Sequence, residues 1–134
     1  AILNVKLPHL DQWNQKRRAA ADKYDQQLSS ISNVLIPARV AWSEHVFHQY
    51  TIRVTDGRRD ELQKYLAEHK IPSMIYYPVP MHEQAAFNKL VRRRVPLLQT
   101  EKISKEVLSL PMHPDLGDDQ ITYICEHVAK FFTA

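Results

Sequence analysis

The sequence predicts an α+β fold, an α/β two-layer sandwich in which helices cover a small mixed or antiparallel sheet. Three observations support this. Segments typical of helices and strands follow one another in the order helix, strand, strand, helix, strand, helix, strand, helix. The strand-like runs within 34–54 are adjacent, as in a β-hairpin, which favours antiparallel pairing. The 134 residues, 44% hydrophobic and 25% charged, suffice for one domain with a single core.

The chain begins with two helical segments divided by a proline. Residues 1–7 carry apolar side chains in a helical pattern, and Pro8 is expected to bend or break that helix. Because the chain starts inside this apolar segment without a methionine, we expect it to be a fragment. A second helix is expected over 11–30, with one apolar stripe formed by Trp13, Ala20, Tyr24, Leu28 and Ile31.

Two extended runs follow, VLIPARV and HVFHQYTIRV. The second is the strongest strand signal in the chain because aromatic and β-branched residues dominate it. Alternation would place one set of side chains on each face: Val46, His48, Tyr50, Ile52 and Val54 against Phe47, Gln49, Thr51 and Arg53. Since Phe47 would then be exposed, we expect another domain or subunit to cover its face.

The middle of the chain predicts a helix, a strand and a further short helix. The first helix is expected over 55–70, with an apolar stripe of Leu62, Tyr65 and Leu66. Pro72 marks its end, and a strand is expected over Ser73–Tyr77. A short helix is expected near His82 to Val91.

The C-terminal part contains the clearest amphipathic helix. A loop over 92–100, a short polar helix or turn over 101–106 and a brief strand in VLSLPM precede it. Gly117 is expected as its N-cap, with Gln120 at the third helical position. Its apolar stripe consists of Ile121, Ile124, Cys125, Val128, Phe131 and Phe132.

Several function classes lack their sequence signals. Only two glycines are present, which excludes a Walker loop and a dinucleotide fingerprint. No CxxC or HExxH motif occurs, so no metal ligand is predicted. The net charge is +3, but the basic clusters at 16–18 and 92–94 are not interleaved with aromatic residues, so no nucleic-acid partner is predicted. No apolar run reaches the roughly 18 to 20 residues of a membrane helix, so no membrane partner is predicted.

The single cysteine bears on the compartment. Cys125 rules out an internal disulfide and fits a reducing, cytoplasmic environment. Because it falls in the apolar pattern of the last helix, we expect a buried small hydrophobic side chain rather than a catalytic thiol.

The stretch IPSMIYYPVPMHEQAAF, residues 71–87, is the main candidate for a binding site. Neighbouring residues on a strand point to opposite faces, so Tyr76 and Tyr77 cannot both enter one core. The two prolines after them stiffen the strand exit, and His82 follows. Two interpretations stay open: a rigid ligand loop presenting phenol and imidazole groups, or a turn in which a tyrosine covers the edge of the core.

The other histidines give weaker signals. His48 lies on an apolar strand face, where a hydrogen-bonded core histidine is more typical than a catalytic base. His113 stands between two prolines and could orient a loop. Three more histidines occupy helical positions that we expect to be exposed: His9, His69 and His127.

Four segments together resemble the DegT-type, pyridoxal-phosphate-dependent nucleotide-sugar aminotransferases. They are AILNVKLPHLDQWNQKRR, HVFHQYTIRV, IPSMIYYPVPMHEQAAF and LSLPMHPDLGDDQI, in the family's order and over nearly the whole chain. The resemblance implies fold type I. It makes residues 1–10 the end of a helix from an absent large domain, and 11–134 the C-terminal small domain.

The resemblance also implies an activity that this chain would not perform alone. Family members are homodimers that transfer an amino group, usually from glutamate, to a keto carbon of a nucleotide-linked sugar. Their Schiff-base lysine, pyridinium partner and phosphate-binding residues all precede the matching segment, so pyridoxal phosphate would bind in the absent large domain. No catalytic residue is therefore expected here, and the chain alone is expected to be inactive.

The resemblance carries over a set of substrate-binding positions. The family's tyrosine-rich loop, which reaches toward the nucleotide-sugar pocket, maps onto Tyr76, Tyr77, Pro78, Pro80 and His82. Some members have histidine at the position of Tyr76, and either side chain offers hydrogen bonds to sugar or phosphate oxygens. His48 and Tyr50 match a family strand, and a supporting role is expected there. The alternative is a free-standing, non-catalytic ligand- or partner-binding module.

Overall fold

A computed structural model describes residues 1–87 and 96–133. The predicted α+β class is confirmed, because helices accompany one three-stranded antiparallel sheet of order β1-β2-β3. The end of the short helix predicted to reach Val91 and the basic cluster at 92–94 lie outside the described residues. The elements are α1 (Ile2–Lys6), α2 (Leu10–Leu28), β1 (Val34–Leu35), β2 (Tyr50–Val54), α3 (Arg59–Glu68), α4 (Leu98–Glu106), β3 (Val107–Leu110) and α5 (Asp118–Thr133).

The central strand β2 carries the core of the domain. Tyr50, Ile52 and Val54 alternate with half-buried residues and are fully buried on one face of the sheet. Across the antiparallel ladder, Tyr50 lies opposite Leu110 and Ile52 lies opposite Leu108. This alternation follows from the period of two along a strand, which places every second side chain in the core.

The two long helices bury most of the stripes that their sequences predict, although Trp13, Ile31 and Phe132 are only half-buried. The buried residues of α2 are Ala20, Ala21, Tyr24 and Leu28, and those of α5 include Ile121, Ile124, Cys125, Val128 and Phe131. At the start of α5, the Gly117 backbone N–H donates to Gln120 Oε1 at 3.0 Å. Pro8 lies in a 3₁₀ turn, Leu7–His9, that joins α1 to α2. At the predicted bend, the α-helix is therefore replaced by one short 3₁₀ turn.

The prediction for the segment before β2 is wrong. The strand begins at Tyr50 rather than His45, and Phe47 is only 1% exposed. Phe47 has φ +46°, in the left-handed region, so alternation cannot continue through it. Its ring lies 4.4 Å from the His45 ring centroid, and the Arg39 guanidinium stacks over it at 4.4 Å. His48, predicted to share the buried face of Tyr50, is exposed and precedes the strand.

The sheet nevertheless has a second face that the described residues leave partly uncovered. Leu35 pairs with Arg53 and Met74 forms a bridge with Ser109, so both belong to the face opposite the core. Both side chains are about half exposed. The covering of this face by another domain or subunit remains a prediction, but Phe47 is not the reason for it.

The strand predicted at Ser73–Tyr77 is reduced to a single β-bridge. Met74 exchanges two backbone hydrogen bonds with Ser109, at 3.0 and 2.9 Å, and the ladder ends there. The helix predicted from His82 is also wrong as far as residue 87, because only a 3₁₀ turn, Met81–Glu83, forms. Prolines flank the 73–77 segment at 72, 78 and 80 and cannot donate ladder hydrogen bonds, so a ladder cannot extend beyond it at either end.

A polar network lies inside the core beside β2. The rings of Tyr24 and Tyr50 stack at 4.6 Å between centroids. The Tyr24 hydroxyl donates to the Pro111 carbonyl at 2.9 Å, and the Tyr50 hydroxyl donates to Asp25 Oδ1 at 2.6 Å. Burial raises the pKa of both phenols well above the usual range, so they remain hydrogen-bond donors. Cys125 is buried as predicted, and burial raises the pKa of its thiol to about 12.

One histidine predicted to be exposed is buried. His127 on α5 packs between the Tyr123 and His69 rings, with centroid distances of 4.4 and 4.3 Å. The Tyr65 hydroxyl lies 3.2 Å from its Nδ1. The prediction failed because one face of α5 meets the end of α3, a contact that the helical period alone does not reveal.

Candidate functional site

Tyr76 and Tyr77 form the most exposed aromatic pair beside a cleft in the described part of the chain. They are 51% and 82% exposed, so both side chains leave the core, whereas alternation required only one to do so. With Pro78 they line an open cleft of about 530 Å³, together with Val79, Glu83, Gln84 and Ala85. Neither tyrosine hydroxyl has a hydrogen-bond partner among the described residues. The loop therefore presents two solvent-exposed phenol groups that no described protein group engages.

The backbone around the tyrosines is held at both ends. The Met74–Ser109 bridge joins the upstream end to β3. Downstream, the Glu83 backbone N–H donates to the Pro80 carbonyl at 2.9 Å, and Pro80 itself is buried with φ −55° and ψ 144°. Because proline fixes φ, the exit is stiff without a regular ladder.

Tyr76 also borders a second cleft, which connects the loop to the end of β3. This cleft measures about 290 Å³, and its lining includes Met74, Ser109, Met112 and His113. Tyr76 therefore lines both clefts, and His113 lines the second one with it. A further cleft of about 360 Å³, lined by His113, Tyr123 and Lys70 among others, lies beside the start of α5.

His82 lies behind the tyrosine loop rather than in the cleft. Its side chain is only 8% exposed, and its Nε2 is 3.3 Å from Glu101 Oε1 on α4. Glu83 Oε1 lies 3.9 Å from the same nitrogen. The three residues place possible metal-ligand atoms within 4.8 Å of one another, but an imidazole–carboxylate hydrogen bond accounts for the same proximity.

The structure does not bring His48 to the tyrosines. His48 lines a separate cleft of about 410 Å³ with Pro37, His45, Val46, Gln49 and Thr51. Neither of the two clefts beside the tyrosines has His48 in its lining. Its supporting role remains a prediction, now for a different surface.

Glu101 is the residue of this region that the sequence did not reveal. It stands 19 positions after His82, in a segment interpreted only as a short polar helix or turn. A glutamate in such a segment is typically a solvated surface charge, and no spacing rule links it to a distant loop. Only the docking of α4 places its carboxylate against the imidazole.

The described residues do not fit pyridoxal phosphate. Its aldehyde needs a lysine amine, which in such sites is desolvated. Every lysine in the two described ranges is exposed or half-buried. Lys16 and Lys23, for example, form surface ion pairs with Asp115 and Asp118. The described residues therefore offer no amine suited to covalent attachment of this group.

None of the helices within 1–87 and 96–133 is long and apolar enough to cross a membrane.

Sequence comparisons give consistent matches along the chain. The model of the DegT/DnrJ/EryC1/StrS aminotransferase family matches residues 1–129. A relative from Geobacillus stearothermophilus named pleiotropic regulatory protein is 46% identical over 134 residues, or 98% of this chain and 36% of the relative. The dTDP-3-amino-3,6-dideoxy-alpha-D-galactopyranose transaminase of Aneurinibacillus thermoaerophilus is 36% identical over 133 residues, covering 98% of this chain and 35% of that protein.

The fold is also found in solved structures. The crystal structure of S. venezuelae DesV in complex with a ketimine intermediate matches with a TM-score of 0.92 and 31% identity. That match covers 99% of this chain and 35% of DesV. The chain thus spans about a third of the length of the proteins that it matches.

Proposed function

Because the chain belongs to the DegT/DnrJ/EryC1/StrS aminotransferase family, we propose that it forms the C-terminal domain of a pyridoxal-phosphate-dependent sugar aminotransferase. The enzyme would transfer an amino group from glutamate to a keto group of a nucleotide-linked sugar. The observation in this chain that supports the proposal is the exposed pair Tyr76 and Tyr77. Both line a cleft on a loop that prolines stiffen, and neither hydroxyl has a hydrogen-bond partner among the described residues. The catalytic lysine and the cofactor site would lie in the part of the protein outside residues 1–134.

The proposed role of the loop is to bind the nucleotide-sugar. A phenol hydroxyl can donate one hydrogen bond and accept others, which suits phosphate and sugar oxygens. Pro78 restricts the backbone before a ligand arrives, so less conformational entropy is lost on binding. Gln84 and Glu83 line the same cleft and would contact the sugar hydroxyls.

The proposed assembly is a larger, homodimeric protein in the cytoplasm. Residues 1–10 would link this domain to the large domain, and 11–134 would form the small domain. The apolar residues of the first segment support such a link, because they have no cover in the described ranges: Ile2, Leu3, Val5 and Leu7 are all largely exposed. The buried thiol of Cys125 suits a reducing compartment.

The test is Tyr77→Phe in the full-length protein. We expect weaker binding of dTDP and UDP, the nucleotide parts of candidate substrates, measured by isothermal titration calorimetry. The loss of a hydrogen bond to a phosphate costs on the order of 1.5 to 3 kcal/mol, or roughly ten- to hundredfold in affinity. The glutamate half-reaction, followed by 2-oxoglutarate release, should keep its rate.

Tyr123→Phe is the control, because Tyr123 is a half-exposed tyrosine on α5, outside the tyrosine cleft. It should leave both measurements unchanged. Equal effects of Tyr77→Phe on nucleotide binding and on the glutamate half-reaction would contradict the assignment of the loop to the nucleotide-sugar.

A second candidate is a non-catalytic ligand- or partner-binding module, favoured by the 46% identity to a relative named as a regulatory protein. Borohydride reduction of the full-length protein with pyridoxal phosphate, followed by peptide mapping, separates the two. If the protein is the proposed aminotransferase, one lysine outside residues 1–134 should carry the reduced pyridoxal phosphate. Absence of a specific label would favour the module, and a specific label within this chain would contradict the proposed domain assignment.

A further inference from the structure

The position of His82 is inconsistent with direct contact between its imidazole and a ligand in the tyrosine cleft. The side chain is 92% buried, and the residue is absent from the cleft lining, although it follows the tyrosines by only five positions. A buried imidazole nitrogen needs a hydrogen-bond partner, and Nε2 has one in Glu101 Oε1 at 3.3 Å. The side chain is therefore directed inward from the loop to α4.

Glu101 belongs to a helix that is firmly attached to the sheet. The Arg59 guanidinium donates to the carbonyls of Ser104 and Val107 at 3.2 and 2.8 Å, where α4 passes into β3. Arg53 of the central strand donates twice to Glu106 Oε2, at 2.9 and 2.6 Å. Arg59 and Glu106 are both buried, so these contacts lie in a region of reduced screening.

We propose that Glu101 and His82 form a positioning pair that holds the Tyr76–Tyr77 loop in the orientation that binds the nucleotide-sugar; this inference rests on the proposed function. The loop is attached to the sheet at Met74 and to α4 at His82. Between these points, neither tyrosine has a hydrogen bond to the described residues, so the two attachments and the prolines position the backbone that carries the phenols. Glu101 thus acts through His82 without touching the ligand.

The central experiment compares Glu101→Ala with Glu101→Gln in the full-length protein, again with dTDP and UDP as probes. Alanine removes the acceptor, and we expect nucleotide affinity to fall about tenfold, comparable to one net hydrogen bond. Glutamine retains an acceptor oxygen of similar reach and should restore affinity to within about twofold. The glutamate half-reaction should be unchanged in both. Glu61→Ala, which removes an exposed carboxylate on α3, is the matched control.

A double-variant comparison tests whether Glu101 acts through the loop. Once Tyr77→Phe has removed the contact, adding Glu101→Ala should weaken nucleotide binding less than it does in the wild-type protein. Limited proteolysis gives a second readout, because chymotrypsin can cleave after Tyr76. We expect faster cleavage there in Glu101→Ala than in Glu101→Gln or Glu61→Ala.

The outcomes separate this inference from the proposed function. If Tyr77→Phe weakens nucleotide binding while Glu101→Ala does not, the positioning role is wrong and the function stands. A Glu101→Ala variant that slows both half-reactions equally, or that glutamine fails to rescue, also overturns the positioning role. If Tyr77→Phe has no effect on nucleotide binding, the assigned function of the loop fails. Accelerated cleavage after Tyr76 in Glu101→Ala would then still support the structural link.

Discussion

The two tyrosine pairs of this domain are placed in opposite environments. Tyr24 and Tyr50 are buried, stack on each other, and donate their hydroxyls to a carbonyl and a carboxylate. Tyr76 and Tyr77 are exposed, and their hydroxyls have no partner in the described ranges. The first pair contributes to stability, whereas the second leaves its hydrogen-bonding capacity available to a ligand. The same residue type is therefore structural where the fold satisfies its polar group, and it is free for the proposed binding role where the fold leaves that group exposed.

The largest difference in the free energy of unfolding is expected between substitutions in the central strand and substitutions in the tyrosine loop. Ile52→Ala removes a fully buried side chain from β2 and should lower the free energy of unfolding by about 2–5 kcal/mol. Tyr77→Ala removes an exposed side chain, and its effect should stay within about 0.5 kcal/mol. Urea denaturation of both variants measures the difference. Similar losses would mean that the loop packs more tightly than its exposure indicates.

A smaller effect is expected from the carboxylate that joins the core tyrosine to the 36–49 segment. Asp25 accepts from the Tyr50 hydroxyl and pairs with Arg39, so Asp25→Ala leaves a buried phenol without its partner. We expect a loss of about 1–3 kcal/mol in unfolding free energy. Asp22 also pairs with Arg39 but is far more exposed, and Asp22→Ala should cost less than about 1 kcal/mol. Equal losses of stability in the two variants would show that the hydrogen bond from Tyr50 adds nothing to the ion pair with Arg39.

The two tyrosine pairs can also be compared by the same substitution. Tyr24→Phe deletes the hydrogen bond to the Pro111 carbonyl and should cost about 0.5–1.5 kcal/mol. Tyr76→Phe deletes a hydroxyl without a partner in the described residues and should leave the unfolding free energy unchanged. Thermal denaturation followed by circular dichroism checks both. A measurable loss in Tyr76→Phe would reveal that its hydroxyl is engaged elsewhere in the full-length protein.

The smallest expected effect is a pH dependence at the contact of α3 with α5. Burial, followed by the nearby His69 and Lys130, lowers the pKa of His127 below its ordinary value. Above the unfolded pKa of about 6.5, both states are neutral and the contribution to stability is complete. As the pH falls through that value, the unfolded state binds a proton that the folded state resists, so stability declines.

The measurement for this effect is the unfolding free energy of the wild-type protein and of His127→Gln between pH 7 and pH 5. The variant should lose less stability over this range because it lacks the titrating imidazole. Parallel curves for the two proteins would exclude His127 as the source of the pH dependence.

Regular elements with a strong period were predictable, and irregular ones were not. The α5 stripe and its Gly117–Gln120 cap follow from local spacing, and both are confirmed. The strand at Ser73–Tyr77 was not predictable, because a ladder needs a neighbouring strand in register, and within this segment only Met74 meets one. Phe47 was misplaced because one residue with positive φ reverses the facing of the residues before the strand.

Some features of the candidate site were likewise predictable from local sequence, and others were not. By itself, the sequence determined the amphipathic helices, the 50–54 part of the central strand and the prolines that restrict the tyrosine loop, because these depend on near neighbours and on the fixed φ of proline. Only the tertiary structure decided that both tyrosines are exposed, that His82 is directed inward to Glu101, and that His48 lies at another cleft. These contacts join residues far apart in the chain, and which side chains meet depends on how helices dock on the sheet.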